Sequence, residues 1–333
     1  MSIGKKLKLL YMGTPDFAAV SLQYLIEQGY QITGVVCRAD KPRGRGMQVQ
    51  APPVKLAAEA AGLPVYQPET LKNGAFQPVL QETVPDLIVV VAYGKILPAD
   101  VLTYPKLGCI NLHGSLLPKY RGAAPIQRAV MNGDTVTGLT TMYLSQGMDE
   151  GDMILKTETD IGATETTGEL TERLAHLGAP LLAETIDRIA EGTAVRIPQD
   201  PAAATYATML DKSEGHLDFT RPANALYCVY RALTPALSVS TTFRGKSVKI
   251  TEMRLNGEET CGGTPGEVVR CTKDGISVCC GDGRLLTFEG LAPEGKRAMT
   301  AADFINGRAV KPGDRFGEPA GEKNAAAQAP SCN

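Results

Sequence analysis

Five consecutive aliphatic residues, Leu87 to Val91, lie between Asp86 and Ala92 with no polar side chain to give the run an outward face. Four of the five are β-branched, which favours an extended backbone. A strand without a polar face is buried on both sides, and such strands belong to parallel sheets covered by helices. The neighbouring segments repeat the theme. Leu7–Met12 and Gln31–Cys37 read as strands, with a helix over Asp16–Gln28 opened by Thr14-Pro15. A helical patch follows at Val54–Ala61, then strands at Leu107–His113 and Thr137–Leu144. Thr164–Ala190 reads as a long helix with apolar positions at i, i+4, i+7 and i+11 from Leu170. Strand and helix in alternation predict an α/β fold built on an open, mostly parallel sheet.

The rhythm ends near residue 192. Residues 193–210, with Pro198, Pro201 and an Ala-rich stretch, read as a linker. Short β-like segments follow at Ser238–Phe243, Ser247–Thr251, Gly266–Arg270, Gly275–Val278 and Arg284–Phe288, separated by Gly and charged turns. They predict a small OB-like β-barrel over 211–316. The Gly/Ala/Pro/Asn-rich residues 317–333 read as a disordered tail. A length of 333 residues accommodates both cores.

A formal net charge of −2 excludes global attraction to nucleic acid, so any such surface is local. Two regions qualify. The loop 38–50 carries Arg38, Lys41, Arg43 and Arg45 among glycines, a composition that suits phosphate wrapping or, equally, a solvated loop. Arg244, Lys246, Lys249 and Arg254 form a second cluster, readable as a phosphate-contacting face or as a solvated strand face. The eight cysteines contain no Cys-x-x-Cys pair and are expected to be mostly reduced thiols. The apolar run Leu9–Met12 behind Lys5, Lys6 and Lys8 is too short for a signal-peptide core. No stretch approaches the roughly 18 apolar residues of a membrane span. A cytoplasmic protein is expected.

Asn111 and His113 end the strand Leu107–His113 two residues apart, so their side chains share a face. A neutral donor beside an imidazole is what acyl transfer needs: one group for the developing oxyanion, one to exchange a proton near neutral pH. Two readings stand at this point, since both residues would also serve to satisfy backbone groups at the strand end. Of the other two histidines, His176 sits in a Leu-rich helical pattern and His216 in a polar turn. Gly13-Thr14-Pro15-Asp16-Phe17 occupies the place where a dinucleotide enzyme carries G-x-G-x-x-G, and the fingerprint is absent. The loop 146–152 offers Asp149 and Asp152. It is poor in metal ligands, whereas a carboxylate would be chemically useful for orienting His113.

The run Asn111-Leu112-His113-Gly114-Ser115-Leu116-Leu117-Pro118, then Tyr120-Arg121-Gly122-Ala123-Ala124-Pro125-Ile126-Gln127, with Asp149 downstream, resembles the 10-formyltetrahydrofolate-dependent formyltransferases. The resemblance covers roughly residues 6–316 and includes Gly13–Phe17, Lys41–Gly46 and Val91–Gly94. It implies a Rossmann-like catalytic domain over 1–192 and an OB-like tRNA-binding domain over 211–316. It implies formyl transfer from 10-formyltetrahydrofolate to the α-amine of methionyl-initiator tRNA in a bacterial cytoplasm, without a metal, by a monomer. By matching position, Asn111, His113 and Asp149 would be catalytic. Ser115, Leu116, Leu117 and Pro118 would contact the folate, with a pterin pocket near Val90, Val91, Ala92, Tyr93 and Gly94. Lys41, Arg43 and Arg45 would meet the acceptor end of the tRNA, and Arg244, Lys246 and Lys249 its arm. Trp is absent throughout, and Tyr120 stands where some relatives carry Trp. Rival acceptors within the family are glycinamide ribonucleotide and an amino-sugar nucleotide. A silent folate- or RNA-binding module is the rival of a different class.

Overall fold

The computed structural model describes residues 2–43 and 48–317, with the backbone alone for Arg43 and Gln48. Contacts divide the chain into two units, the first built from residues 1–128, 135–162 and 169–209, the second from 129–134, 163–168 and 210 onward.

In the first unit β1 (Leu9–Gly13), α1 (Asp16–Glu27) and β2 (Ile32–Val36) open the chain. A hairpin of β3 (Lys41–Arg43) and β4 (Gln48–Gln50) follows, then α2 (Pro53–Ala60), β5 (Val65–Tyr66) and α3 (Gln77–Thr83). Next come β6 (Leu87–Val91), α4 (Ala99–Leu102), β7 (Cys109–His113), β8 (Arg121–Gly122) and α5 (Pro125–Met131). β9 (Val136–Tyr143), β10 (Met153–Asp160), α6 (Thr167–Ala190) and β11 (Tyr206–Ala207) complete the series. Seven strands form one sheet in the order β10-β9-β7-β6-β1-β2-β5.

Every residue of β1 and of β6 is buried, as an aliphatic strand without a polar face requires. β5, β2, β1, β6 and β7 run parallel, with Leu10 opposite Ile88 and Val90 opposite Asn111. Successive strands leave β1 toward β2 and β5, then restart on its other side at β6 and β7. The chain order therefore switches between β1 and β6, and the carboxyl ends there, Gly13 and Val91, open the crevice where such sheets take ligands.

β9 and β10 depart from the alternating pattern by pairing antiparallel. Because Ile110 faces Tyr143 and His113 faces Thr140, β9 ends beside the start of β7. The loop 144–152 must then fold back over the sheet face to reach the end of β7. Gly151 makes that fold possible: a Cβ there would lie 1.9 Å from the Tyr143 carbonyl oxygen.

The second unit contains α7 (Ala223–Leu233), β12 (Val239–Phe243), β13 (Lys246–Thr260), β14 (Val268–Thr272), β15 (Gly275–Cys279), β16 (Arg284–Pro293), β17 (Met299–Thr300) and α8 (Ala301–Arg308). Its sheet is antiparallel, in the order β12-β13-β16-β15-β14, with β17 on β16. Residues 314–317 bond to both edges, Phe316 bridging Phe243 of β12 and Arg315 bridging Glu267 beside β14. Phe316 also packs on Phe243 and Phe288, at centroid distances of 4.8 and 5.3 Å, within the core that Leu226, Leu233 and Phe304 complete.

The structure adds detail to several of these regions. The basic stretch 38–50 is not simply a loop, since its flanks pair as β3 and β4. Within the 193–210 segment, expected to be a linker, β11 pairs with β8 and Ile197 bridges Met153. Cys261 and Cys279 form a disulfide, while Cys37, Cys109, Cys228, Cys271 and Cys280 are free thiols. The tail after Gly317 lies outside the described residues.

Gly138 in β9 tests the tightness of the antiparallel edge, since a Cβ there would sit 2.1 Å from the Thr157 carbonyl oxygen and 2.6 Å from Leu116 Cδ2. Gly138→Ala is expected to destabilise the first unit by about 1–3 kcal/mol, measured as a lower urea midpoint. An unchanged midpoint would mean that β10 moves aside freely.

Candidate active site

Asn111 and His113 stand on the same face of β7, at the carboxyl end of the strand. Asn111 is half-buried, and its side-chain amide has no hydrogen-bond partner among the described residues. His113 is 5% exposed. Its Nε2 lies 2.9 Å from the Tyr120 carbonyl oxygen, and its Nδ1 lies 3.6 Å from Asp149 Oδ2. A carbonyl oxygen only accepts, so Nε2 carries a hydrogen. The Nδ1–Asp149 separation is too long for a hydrogen bond and acts as an electrostatic contact. Asp149 Oδ2 instead accepts from the Gly122 backbone N–H at 2.8 Å. Asp149 thus approaches His113 without bonding directly to the imidazole, and Asn111 shares the strand face of His113.

The loop after His113 is tied down from within. Ser115 Oγ donates to the Lys119 carbonyl at 2.6 Å, and Thr140 Oγ1 donates to the Ser115 carbonyl at 2.7 Å. Thr140 Oγ1 also accepts from the Leu117 N–H at 3.1 Å, and Lys156 Nζ donates to the Leu117 carbonyl at 2.5 Å. Leu117 is buried against Met142 and Met153. Of the four residues expected to meet the folate, Ser115 and Leu117 therefore turn inward, and Leu116 and Pro118 stay accessible.

The strand end at 90–94 divides similarly. Val90, Val91 and Tyr93 are buried, while Ala92 and Gly94 are exposed, at φ of 47° and 77°. Burial pushes the Tyr93 phenol up to about 12, and its hydroxyl has no partner among the described residues. What this segment presents to a ligand is backbone and small side chains. Thr14 Oγ1 donates to the Tyr93 carbonyl at 3.3 Å, and the Arg38 guanidinium donates to the Gly94 carbonyl. Behind Arg38, Gln67 Nε2 donates to the Arg38 carbonyl and to Asp40, each at 2.7 Å. Lys55 pairs with Asp40 at 2.8 Å.

The cations divide into free and engaged. Lys41 is exposed on β3, and Arg45 lies outside the described residues. Arg244 packs over Phe243 and pairs with Asp314 at 3.1 Å. Arg254 pairs with Glu289 at 2.8 Å. Lys246 and Lys249 are exposed without a partner among the described residues, so the predicted cluster reduces to two lysines on β13.

Sequence reasoning missed the residues that hold this arrangement. Gln199, Arg121 and Thr205 bond to the loops around His113 and Asp149. Arg121 stands in the Tyr120–Gln127 run, but Gln199 and Thr205 lie in no motif, and only the folded chain brings 197–207 beside 120–123.

The chain matches the formyl transferase family model over residues 5–186 and the formyl transferase C-terminal domain model over 209–309. It is 44% identical to the methionyl-tRNA formyltransferase of Citrifermentans bemidjiense, over 94% of this chain and 97% of the relative. It is 46% identical to that of Symbiobacterium thermophilum, over 94% of this chain and 96% of the relative. Among solved structures it resembles HypX of Aquifex aeolicus in complex with tetrahydrofolic acid, with a TM-score of 0.62 at 15% identity. That match covers 94% of this chain and 49% of HypX, so the chain spans about half of HypX's length. It also resembles an N-formyltransferase of Helicobacter canadensis, with a TM-score of 0.62 at 18% identity over 85% of this chain and 98% of that one. The likeness to these two structures is one of fold.

Asp40 provides a pH test of the scaffold behind Gly94. Hydrogen bonds from Lys55 and then Gln67 hold its carboxyl below the usual range. A carboxyl with a depressed folded value stabilises above its unfolded value, and that contribution is lost as pH falls through the folded value. Asp40→Asn is expected to lower the urea midpoint at pH 7, with the gap to wild type closing as the solution is acidified. A gap independent of pH would remove the charge from the explanation.

Proposed function

This chain belongs to the formyl transferase family, and we propose that it transfers the formyl group of 10-formyltetrahydrofolate to the α-amine of methionine esterified to initiator tRNA. The donor is treated as a substrate. The observation that carries the chemistry is an amide without a partner among the described residues, Asn111, on the strand face of a His113 that Asp149 approaches to 3.6 Å at the end of β7. The acceptor is supported by relatives named methionyl-tRNA formyltransferase, 43–46% identical over 94% of this chain.

The surroundings fit the donor. Half-exposed Leu116 and Pro118 offer apolar contact, and the exposed backbone at Ala92 and Gly94 suits the hydrogen-bonding edge of a pterin. In the reaction the α-amine attacks the formyl carbon, the bond from that carbon to N10 breaks, and the amine's proton is delivered to N10. Asn111 donates its amide N–H to the charge that develops on the formyl oxygen. His113 manages the proton through Nε2, whose hydrogen the Tyr120 carbonyl accepts in the structure. Asp149 stabilises the charged imidazole from 3.6 Å.

In this reading residues 1–192 perform the chemistry, 193–210 connect, and 211–316 hold the tRNA as an OB-like domain. Contacts to the acceptor end are assigned to Lys41, Arg43 and Arg45. Lys246 and Lys249 supply phosphate contacts, and Arg244 chiefly secures its own unit through Asp314. The relatives are bacterial, and no described helix is long and apolar enough to cross a membrane. We place the reaction in the cytoplasm and assign it to a monomer.

The direct test offers 10-formyltetrahydrofolate with charged initiator tRNA, glycinamide ribonucleotide or an amino-sugar nucleotide, and identifies products by mass spectrometry. Formylation of the methionyl ester alone is expected, and product only on a small acceptor would overturn the acceptor assignment. Asn111→Ala and His113→Ala are each expected to cut kcat by about 10²–10³ or more while leaving the fold intact. A variant near full turnover would remove that residue from the mechanism. Arg45→Ala is expected to raise KM for the tRNA and leave folate affinity unchanged. Equal loss of folate affinity would move the hairpin to the folate site.

A further inference from the structure

Gln199 lies in the stretch that reads as a linker, yet it is 9% exposed and its side-chain amide is fully engaged. Nε2 donates to the carbonyl oxygens of Asp149 and Gly151, each at 2.8 Å. Oε1 accepts from Arg121 Nε at 2.9 Å. Both amide hydrogens and the carbonyl oxygen are used, a match that neither a carboxylate nor an apolar side chain reproduces.

The three bonds straddle the reacting groups. Asp149 and Gly151 belong to the loop that folds back over the sheet. Arg121, 6% exposed, sits between Tyr120 and Gly122. The Tyr120 carbonyl accepts from His113, and the Gly122 N–H donates to Asp149. One side chain thus links the loop that carries Asp149 to the loop that holds His113. Neighbours on the same stretch reinforce it. Thr205 takes the Tyr120 N–H on Oγ1 and the Arg121 N–H on its carbonyl, both at 2.8 Å, and Ile197 bonds to Met153 at 2.9 Å. The distance from His113 to Asp149, 3.6 Å, has no hydrogen bond of its own to set it. It is set by where the two backbones are pinned.

We propose that Gln199 is a positioning residue, which fixes the Asp149–His113 geometry and thereby the rate of the chemical step without touching either substrate. This rests on the formyl-transfer reading. Wild-type turnover of 10-formyltetrahydrofolate with methionyl-tRNA tests that reading by itself, and variants of Gln199 test the positioning.

Gln199→Met removes donors and acceptor at similar volume. Gln199→Glu keeps the acceptor for Arg121 and loses the donors to the Asp149 loop, providing a second route if the first variant does not fold. Both are expected to lower kcat about tenfold or more, with KM for each substrate within about twofold, as a small misplacement of reacting groups does. The discriminating measurement is a double-mutant cycle with Asp149→Asn. If Gln199 acts through Asp149, the second substitution costs far less in either Gln199 background than in wild type. A lower melting temperature with unchanged kcat would overturn the proposal, as would an Asp149→Asn penalty equal in all backgrounds. Absence of turnover by the wild-type chain would instead overturn the reading on which it rests.

Discussion

The backbone of β7 is held by a parallel ladder on one side and an antiparallel ladder on the other, and the site inherits its geometry from that double hold. Val90 fixes Asn111 from β6, and Met142 fixes it from β9. His113 is paired with Thr140. A strand pinned on both edges cannot slip by one residue without turning its whole inner face outward. Asn111 and His113 therefore keep a common face through the same contacts that bury Ile110 and Leu112. Thr140 serves both purposes, since its hydroxyl leaves the sheet to organise the loop through Ser115 and Leu117.

What was legible in the sequence follows from how local each signal is. Leu87–Val91 announces a buried strand because burial on both faces leaves only aliphatic residues. β10 gave no such signal, because its residues from Leu155 to Asp160 alternate half-buried and exposed at the sheet edge, and polar side chains satisfy that. α7 was hidden among β-like segments, its apolar face built from Tyr227, Cys228 and Val229 as well as leucines. α8 has only Ala301 and Phe304 buried, too few to mark a helix by periodicity. The Cys261–Cys279 pair spans 18 residues and depends on the sheet bringing them together. Asn111 and His113 were readable because two residues on one strand face need no tertiary information. Gln199 was not, because its partners lie about 50 and 78 positions away.

The electrostatics of the second unit follow a related logic. Arg244, Arg254, Arg270 and Arg284 each pair with a carboxylate at 2.7–3.1 Å. Exposed pairs of this kind contribute little to stability, about 0–1 kcal/mol each. Their larger effect is on what remains: guanidiniums bound to carboxylates have fewer donors left for phosphate, while Lys246 and Lys249 stay available. In the proposed function, exposed lysines of this kind would meet the tRNA as point charges. Such contacts are weak and salt-dependent, and they position more than they specify.

Three of the seven described non-glycine residues with positive φ lie around the site. Ala92, Tyr120 and Asp149 have φ of 47°, 61° and 51°. Ala92 follows β6, Tyr120 precedes β8 and Asp149 lies in the loop between β9 and β10, and a left-handed residue other than glycine costs on the order of 1–3 kcal/mol. Such conformations persist only where surrounding contacts over-determine them. At Tyr120 the N–H and the carbonyl are both bonded, to Thr205 and His113. At Asp149 the carbonyl is held by Gln199 and the carboxylate by Gly122. Beside these well-bonded neighbours, the Asn111 amide has no partner among the described residues. In the proposed mechanism, rigidity falls on the groups to be aimed, and hydrogen-bonding capacity is left open at the group assigned to the developing charge. A site so arranged reorganises little when charge forms, which is the condition under which a single N–H donor contributes most to rate.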